Sequence, residues 1–206
     1  MSTKHDDKVR LGPEFADALT YTYELHARQL RKGTTNPYLG HLLGVAALVI
    51  DAGGSEDEVI AALLHDAAED QGGEERLEKI ERRFGPKVAS IVRECSDTTS
   101  ADVKEPWEER RERYAKHVAE EISAEALRVS LADKLYNSTA IVRDHAAEGE
   151  GLWTRFSRGK EQQALRYRGL VVAYRAALER LGVTSPLIDE FERKVEELEA
   201  IAAVRP

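Results

Sequence analysis

The sequence predicts an all-α protein, and three observations indicate this fold class. Apolar residues recur at intervals of three and four, sustained alternation of apolar and polar residues is missing from the sequence, and Gly and Pro separate the apolar segments. A chain of 206 residues is long enough to bury a sizeable core. We therefore expect a single compact multi-helix domain over residues 1–206.

Two apolar helices are predicted in the first quarter of the chain. The first runs from Glu14 to about Arg31, is preceded by Pro13 and is ended by the turn residues 33–37. The second, Leu39–Ala52, is short and strongly apolar, and Gly53-Gly54 closes it.

The next segment, Val59–Asp70, is predicted as a central helix that is apolar at its start and carries His65, Asp66, Glu69 and Asp70 in its last two turns. On one continuous helix, His65 would stack over Glu69, and Asp66 over Asp70. Carboxylates at this spacing repel one another unless a cation neutralises them. A bound metal is the simplest such cation.

Several boundary signals define the helices around this segment. Ser55, followed three residues later by Glu58, predicts a capping box at the start of the central helix. Gly85-Pro86 separates a charged helix, Glu74–Phe84, from a second one, Lys87–Cys95.

The second half of the chain begins with a polar segment, 96–106, that is predicted to be a loop. Trp107–Glu121 is rich in charge and is predicted to be a helix with a solvated face. Ser123 caps an apolar helix with the sequence AEALRVSLADKLYNSTAIV. Two further helices are predicted, at about Arg158–Leu181 and at Pro186–Ala202.

Composition limits the compartment and the partners. The chain has one cysteine, Cys95, so an internal disulfide is impossible and a reducing compartment is expected. The first thirty residues contain no apolar run typical of a signal peptide, and no segment is long enough to cross a bilayer. The formal net charge of −8 argues against a broad nucleic-acid surface. We expect a cytoplasmic protein with neither a nucleic-acid nor a membrane partner.

Four side chains form a candidate metal site. His41 and Asp133 can complete a ligand set with His65 and Asp66. Two imidazoles and two carboxylates suit Mn, Fe or Zn, and the lack of cysteine ligands argues against a structural zinc site. Such an ion polarises a phosphoryl group and lowers the pKa of a bound water.

These residues and their surroundings resemble the HD-domain metal-dependent phosphohydrolases. The segments QLRKGTTNPYLGH, ALLHDAAED and LADKLYN are similar to the hydrolase domain of bifunctional alarmone synthetase/hydrolases, and more so to the small stand-alone alarmone hydrolases. The resemblance covers about residues 14–140, the expected core with the metal site, and is weaker in the C-terminal helices, 141–206. The chain ends where a synthetase domain would begin, so we expect none.

The resemblance implies a role for each matching residue. The metal ligands would be His41, His65, Asp66 and Asp133, holding one Mn ion. Glu69 and Asp70 would orient and deprotonate the water that attacks the phosphorus at the ribose 3′ position. Arg31, Lys32 and Asn137 would contact the nucleotide. The implied reaction removes pyrophosphate from a guanosine or adenosine tetra- or pentaphosphate.

Some positions depart from the family pattern. Leu42 stands where proline is usual, which affects the helix start. Ser130 replaces a frequent lysine and Ser138-Thr139 replaces the usual continuation, so both bear on substrate contacts. The segment 153–170 carries cationic and aromatic residues that can close over the site, and the sequence assigns it no firm role.

Two alternatives to an alarmone hydrolase stay open at this point. One is an HD-type nucleotidase or phosphodiesterase that acts on a 5′-monophosphate or a different diester. The other is a nucleotide-binding sensor that keeps the fold without catalysis. The complete ligand set and the Glu69-Asp70 pair argue against the sensor.

Overall fold

The structure, a computed structural model, describes residues 11–96 and 106–203 and confirms the all-α class. Within these ranges the only β-type pairing is an isolated bridge between Leu30 and Pro37. The helices are α1 Pro13–His26, α2 Leu39–Asp51, α3 Glu56–Leu64, α4 Ala67–Gln71, α5 Gly73–Cys95, α6 Trp107–Glu120, α7 Ala124–Glu148, α8 Lys160–Leu181 and α9 Leu187–Ala203. A 3₁₀ helix, Gly149–Arg155, lies between α7 and α8.

Helix α7 lies at the centre of the described helices. It packs against α2, α3, α5, α8, α9 and the 3₁₀ helix. Its side chains Leu127, Leu131 and Leu135 are at most 2% exposed. Residues 58–64 of α3 are also all buried. A polar side chain that is buried on either of these helices therefore needs a hydrogen-bond partner inside the protein.

The predicted boundary signals are confirmed. The Ser55 hydroxyl accepts a hydrogen bond from the Glu58 backbone N–H, and the Glu58 carboxylate accepts one from the Ser55 N–H, which forms the capping box. Gly85 (φ 88°, ψ 166°) kinks α5 in a conformation that side chains with a Cβ rarely adopt. The kink separates the two helices predicted on either side of Gly85-Pro86.

The first predicted helix is too long at its C-terminal end. Helix α1 ends at His26, and residues 27–38 form a turn rather than continuing to Arg31. The Arg31 N–H donates to the Asn36 carbonyl (2.9 Å) and the Tyr38 N–H to the Gln29 carbonyl (2.9 Å). Because these hydrogen bonds close the turn on itself, its backbone groups are satisfied without helix.

The prediction of one continuous central helix is wrong. Helix α3 ends at Leu64, and α4 begins at Ala67 after a turn at His65-Asp66. A continuous helix would pair the Ala62 carbonyl with the N–H of residue 66, but this carbonyl lies 2.8 Å from Nδ1 of the His65 ring. The imidazole competes with the helical hydrogen bond, so the predicted stacking of His65 over Glu69 and of Asp66 over Asp70 does not hold.

Helix α6 is more than a solvated face. It is as charged as predicted, but Tyr114 and Val118 are buried and the helix packs against α8. Most of the loop predicted at 96–106 lies outside the described residues. No helix in the described ranges has both the length and the apolar character needed to cross a membrane.

The approach of α2 to α7 depends on a glycine. An added Cβ at Gly44 would lie 2.0 Å from Cε2 of Tyr136. The Tyr136 ring also packs edge-on against His41, with centroids 5.2 Å apart. Gly44 therefore allows the two helices to bring His41 close to α7.

We predict that Gly44→Ala lowers the free energy of unfolding by about 1–3 kcal/mol, because the new methyl group overpacks the α2–α7 interface. Urea unfolding followed by circular dichroism measures the change. Gly40→Ala is the matched control on the same helix, since a Cβ there meets no atom within 4 Å. A Gly44→Ala protein as stable as the Gly40→Ala protein would contradict the prediction.

Candidate metal centre and nucleotide cavity

The structure brings the four predicted metal ligands together. Nε2 of His41 lies 3.4 Å from Oδ2 of Asp66 and 3.3 Å from Oδ1 of Asp133. Nε2 of His65 lies 3.1 Å and 3.6 Å from the same two oxygens. The side chains come from α2, the α3–α4 turn and α7, so the cluster joins three separate parts of the chain.

The spacing of these atoms fits a bound ion. Ligands about 2.1 Å from a transition metal lie about 3.0–3.4 Å from one another in octahedral or tetrahedral geometry. The nitrogen–oxygen distances are close to this range, and ligand atoms of His41, His65 and Asp133 all lie within 4.8 Å of one another. Nε2 of His65 is buried and has no well-aligned hydrogen bond. The donor set can therefore hold a divalent metal.

The turn between α3 and α4 explains how two consecutive residues share one site. Neighbouring residues on a continuous helix point in different directions. At the turn, His65 and Asp66 both face His41 and Asp133. The His65 Nδ1 contact with the Ala62 carbonyl also fixes the ring, which directs Nε2 toward the carboxylates.

The charges of the cluster favour a cation. Burial alone would raise the pKa of Asp66 and Asp133, but the facing imidazoles, and Lys134 beside Asp133, hold both pKa values below the usual range. Burial lowers the pKa of His41. For His65 burial also acts downward, but the two carboxylates raise its pKa well above normal. The cluster thus holds two ionised carboxylates, Asp66 and Asp133, and positive charge is needed to neutralise them.

The second acid, Asp133, is held by its own helix. Its Oδ2 accepts a hydrogen bond from Lys134 Nζ (2.5 Å), and its Oδ1 accepts one from Asn137 Nδ2 (2.5 Å). Asn137 in turn accepts a hydrogen bond from Arg31 (3.1 Å). This chain of contacts links the metal cluster to the predicted nucleotide-binding residues.

Sequence reasoning missed Tyr38. Its hydroxyl donates to Oδ2 of Asp66 (2.5 Å), and its ring packs against His41 with centroids 5.2 Å apart. Burial, together with the neighbouring Asp66 carboxylate, raises the pKa of Tyr38, so the hydroxyl stays protonated and remains a donor. The contact with Asp66 spans 28 residues, so no local spacing signal in the sequence identifies Tyr38.

The predicted catalytic acids lie on α4, directly after Asp66. Glu69 and Asp70 are both exposed. Oδ2 of Asp70 accepts a hydrogen bond from Gln29 (2.6 Å), whose side-chain oxygen lies 2.7 Å from Nδ1 of the buried His26. Gln29 was not predicted from the sequence. Its side chain connects the turn after α1 to Asp70.

A cavity of about 630 Å³ adjoins the cluster. His41, Tyr38 and Asn137 line it together with Arg31 and Lys32. The guanidinium of Arg31 lies over the rings of Tyr38 and Tyr136, 5.8 Å and 5.9 Å from their centroids. The volume is typical of small-molecule sites. The structure thus brings the predicted nucleotide-binding residues to one cavity beside the predicted metal ligands.

The departures at Ser130 and Ser138 lie in the core. The Ser130 hydroxyl is 2.6 Å from the Tyr114 hydroxyl and 2.5 Å from that of Tyr174, and it is 1% exposed. Ser138 donates to the Leu135 carbonyl and is fully buried. Neither is among the described residues that line the cavity, so the expectation that they bear on substrate contacts is not supported by their position.

The fold and the cluster are those of a known class. Residues 18–162 match the HD domain, so the chain belongs to the HD-domain family. It is 40% identical over 124 residues to the guanosine-3′,5′-bis(diphosphate) 3′-pyrophosphohydrolase MESH1 of Xenopus tropicalis, and 35% identical over 133 residues to that of Homo sapiens. These matches cover 59% and 62% of this chain, and 65% and 70% of the relatives.

Solved structures give the same result. A metazoan orthologue of SpoT, described as hydrolysing ppGpp, has a TM-score of 0.65 and 26% identity, and the match covers 93% of this chain and 97% of that one. The protein lmo0812 of Listeria monocytogenes EGD-e has a TM-score of 0.64 and 31% identity, over 76% and 96% of the two chains. The chain spans just under two thirds of the Xenopus relative, and 16% of a probable enzyme of the same name from Synechocystis.

We predict that MnCl₂ at 100 times its dissociation constant raises the melting temperature by about 5–10 °C, because a ligand that binds only the folded state stabilises it. Asp133→Asn should abolish this rise, since it removes a charged ligand with little change in shape. Differential scanning calorimetry measures both.

Asp17→Asn is the control for that experiment, because Asp17 is an exposed partner of Arg83 in α5. It should keep the full Mn-dependent rise. If the Asp133→Asn protein responded to Mn as the control does, Asp133 would not be a ligand.

Proposed function

We propose that this protein hydrolyses the 3′-pyrophosphate of alarmone nucleotides, (p)ppGpp or its adenosine analogue, and releases pyrophosphate. One observation carries the proposal: His41, His65, Asp66 and Asp133 converge beside a cavity of nucleotide size. The relatives named as guanosine-3′,5′-bis(diphosphate) 3′-pyrophosphohydrolases support the choice of substrate.

We assign the four convergent residues as ligands of one Mn ion. When bound, a divalent ion polarises a phosphoryl oxygen and lowers the pKa of a coordinated water. The resemblance to the alarmone hydrolases favours Mn, and Fe or Zn can use the same imidazole and carboxylate donors. Tyr38 and Asn137 would keep Asp66 and Asp133 in place through their hydrogen bonds.

Glu69 and Asp70 are proposed to orient the attacking water and to accept its proton. Partial desolvation of its carboxyl group raises the pKa of Asp70, while the hydrogen bond from Gln29 opposes that rise. A carboxylate with a raised pKa is a better base near neutral pH. The water oxygen forms a bond to the phosphorus that is attached to the ribose 3′ oxygen, and the bond between that phosphorus and the 3′ oxygen breaks. The departing 3′ oxygen takes up a proton from solvent. The products are pyrophosphate and a free 3′ hydroxyl.

Arg31, Lys32 and Asn137 are proposed to hold the nucleotide. In the described part of the chain, no carboxylate pairs with Arg31 or Lys32, so both can face substrate phosphates. The hydrogen bond between Arg31 and Asn137 fixes the guanidinium at the cavity wall. Because the chain carries a net charge of −8, we further propose a free nucleotide, rather than a nucleic acid or a membrane, as the partner of a cytoplasmic enzyme.

A nucleotide panel tests the proposed reaction. The purified protein is incubated with Mn and with the 3′-pyrophosphorylated guanosine and adenosine nucleotides, and the phosphate products are separated. We expect pyrophosphate from at least one of them. Orthophosphate from 5′-monophosphates instead would favour an HD-type nucleotidase, and no turnover on any nucleotide would favour a sensor.

We predict that Glu69→Gln keeps its metal and loses turnover by at least about 100-fold, because the variant retains the ligands and lacks the base. Metal content and the initial rate of pyrophosphate release measure the two effects. Glu75→Gln, an exposed glutamate paired with Lys79 on α5, is the control and should keep its rate. Full activity in the Glu69 variant would refute the assigned role.

A further inference from the structure

Some of the cationic residues that line the cavity pair with carboxylates of the protein, and others do not. Arg143 and Arg155 both pair with Asp144, and Arg155 also pairs with Glu148. Arg166, on α8, has no carboxylate partner in the described part of the chain. It shares this property with Arg31 and Lys32.

Arg166 differs from the other arginines of α8, each of which has an acceptor in the described part of the chain; Arg180, for example, donates to the Ala119 and Ile122 carbonyls. Acidic residues outnumber basic ones by 38 to 30, and other arginines of α8, such as Arg168 and Arg175, bind two carboxylates each. A half-buried guanidinium needs compensation for lost hydration. An anionic ligand in the cavity would provide it.

The guanidinium of Arg166 is held before any ligand binds. It lies 5.4 Å from the centroid of the Tyr167 ring, and Tyr167 is 3% exposed. Contact with a buried ring restricts the long side chain before binding. Binding of an anion would therefore cost less side-chain conformational entropy.

The unpaired cations occupy different parts of the cavity wall. Arg31 and Lys32 belong to the turn between α1 and α2, and Arg166 belongs to α8, within the 153–170 segment to which the sequence assigned no role. His41, a proposed metal ligand, lines the same cavity. The cavity therefore offers a second cationic position besides the basic turn.

We propose that Arg166 is a specificity-determining residue that binds the 5′-diphosphate of the substrate. The inference rests on the proposed function, in which the 3′-diphosphate lies at the metal cluster. The two diphosphates of such a nucleotide leave the ribose from different carbon atoms and point apart. Each then needs its own cations, and a planar guanidinium matches phosphate oxygens in a bidentate manner.

Equilibrium binding without turnover tests this assignment. Isothermal titration calorimetry in the presence of Mn, with Glu69→Gln as the non-hydrolysing background of every protein, compares guanosine 3′,5′-bis(diphosphate) with guanosine 3′-diphosphate, which has a 5′ hydroxyl. Arg166→Ala should weaken binding of the first nucleotide by about tenfold or more and leave that of the second unchanged. Arg166→Lys should recover part of the loss, because it keeps the charge without the bidentate geometry.

Arg175→Ala is the matched control, since it removes an exposed arginine from the same helix. It should bind both nucleotides as the parent Glu69→Gln protein does. Unchanged binding by Arg166→Ala, or an equal loss for both nucleotides, would overturn the inference.

The same experiment separates this inference from the proposed function. A wild-type protein that releases pyrophosphate, combined with an Arg166→Ala protein of unchanged selectivity, would overturn the Arg166 assignment alone. A selective loss of binding, combined with a wild-type protein that hydrolyses neither nucleotide, would support Arg166 as a phosphate-binding residue and overturn the proposed reaction.

Discussion

Two carboxylates, Asp66 and Asp133, face two buried imidazoles where α2, the α3–α4 turn and α7 meet, and their charge constrains the surrounding structure. Burial of such acids without compensation would cost several kcal/mol, so the fold has to surround them with donors and cations. Tyr38 donates to Asp66, while Lys134 and Asn137 donate to Asp133. The helices that supply these groups must therefore meet at one point.

The side chains of the cluster can meet because three chain segments approach one another closely. Gly44 allows α2 to lie against Tyr136 of α7, which brings His41 within reach of Asp133. The turn between α3 and α4 lets His65 and Asp66 face the same point, which neighbouring residues of a continuous helix do not do. A straight helix through this segment would form more backbone hydrogen bonds, but one of the two side chains would point away from the cluster.

Most of the helices could be predicted from the sequence because their apolar spacing and caps are local signals. The capping box at Ser55 and the break at Gly85 are examples. The turn at His65-Asp66 could not, since its cause is a side-chain contact with the Ala62 carbonyl inside an otherwise helical pattern. The matching motifs identified the convergent residues, whereas Gln29 and Tyr38 contribute through contacts between distant segments that spacing does not reveal.

The placement of positive charge distinguishes structural arginines from those available to a ligand. The guanidinium of Arg128 pairs with the buried Glu58, and Arg168 pairs with acids of α9, so these residues stabilise contacts between helices. An acidic protein repels a polyanionic nucleotide at long range, and salt screens that repulsion over about 10 Å. Attraction must then arise locally, from cations that the protein leaves unneutralised. The basic turn at Arg31 meets this requirement on one wall of the cavity, and α8 meets it on another.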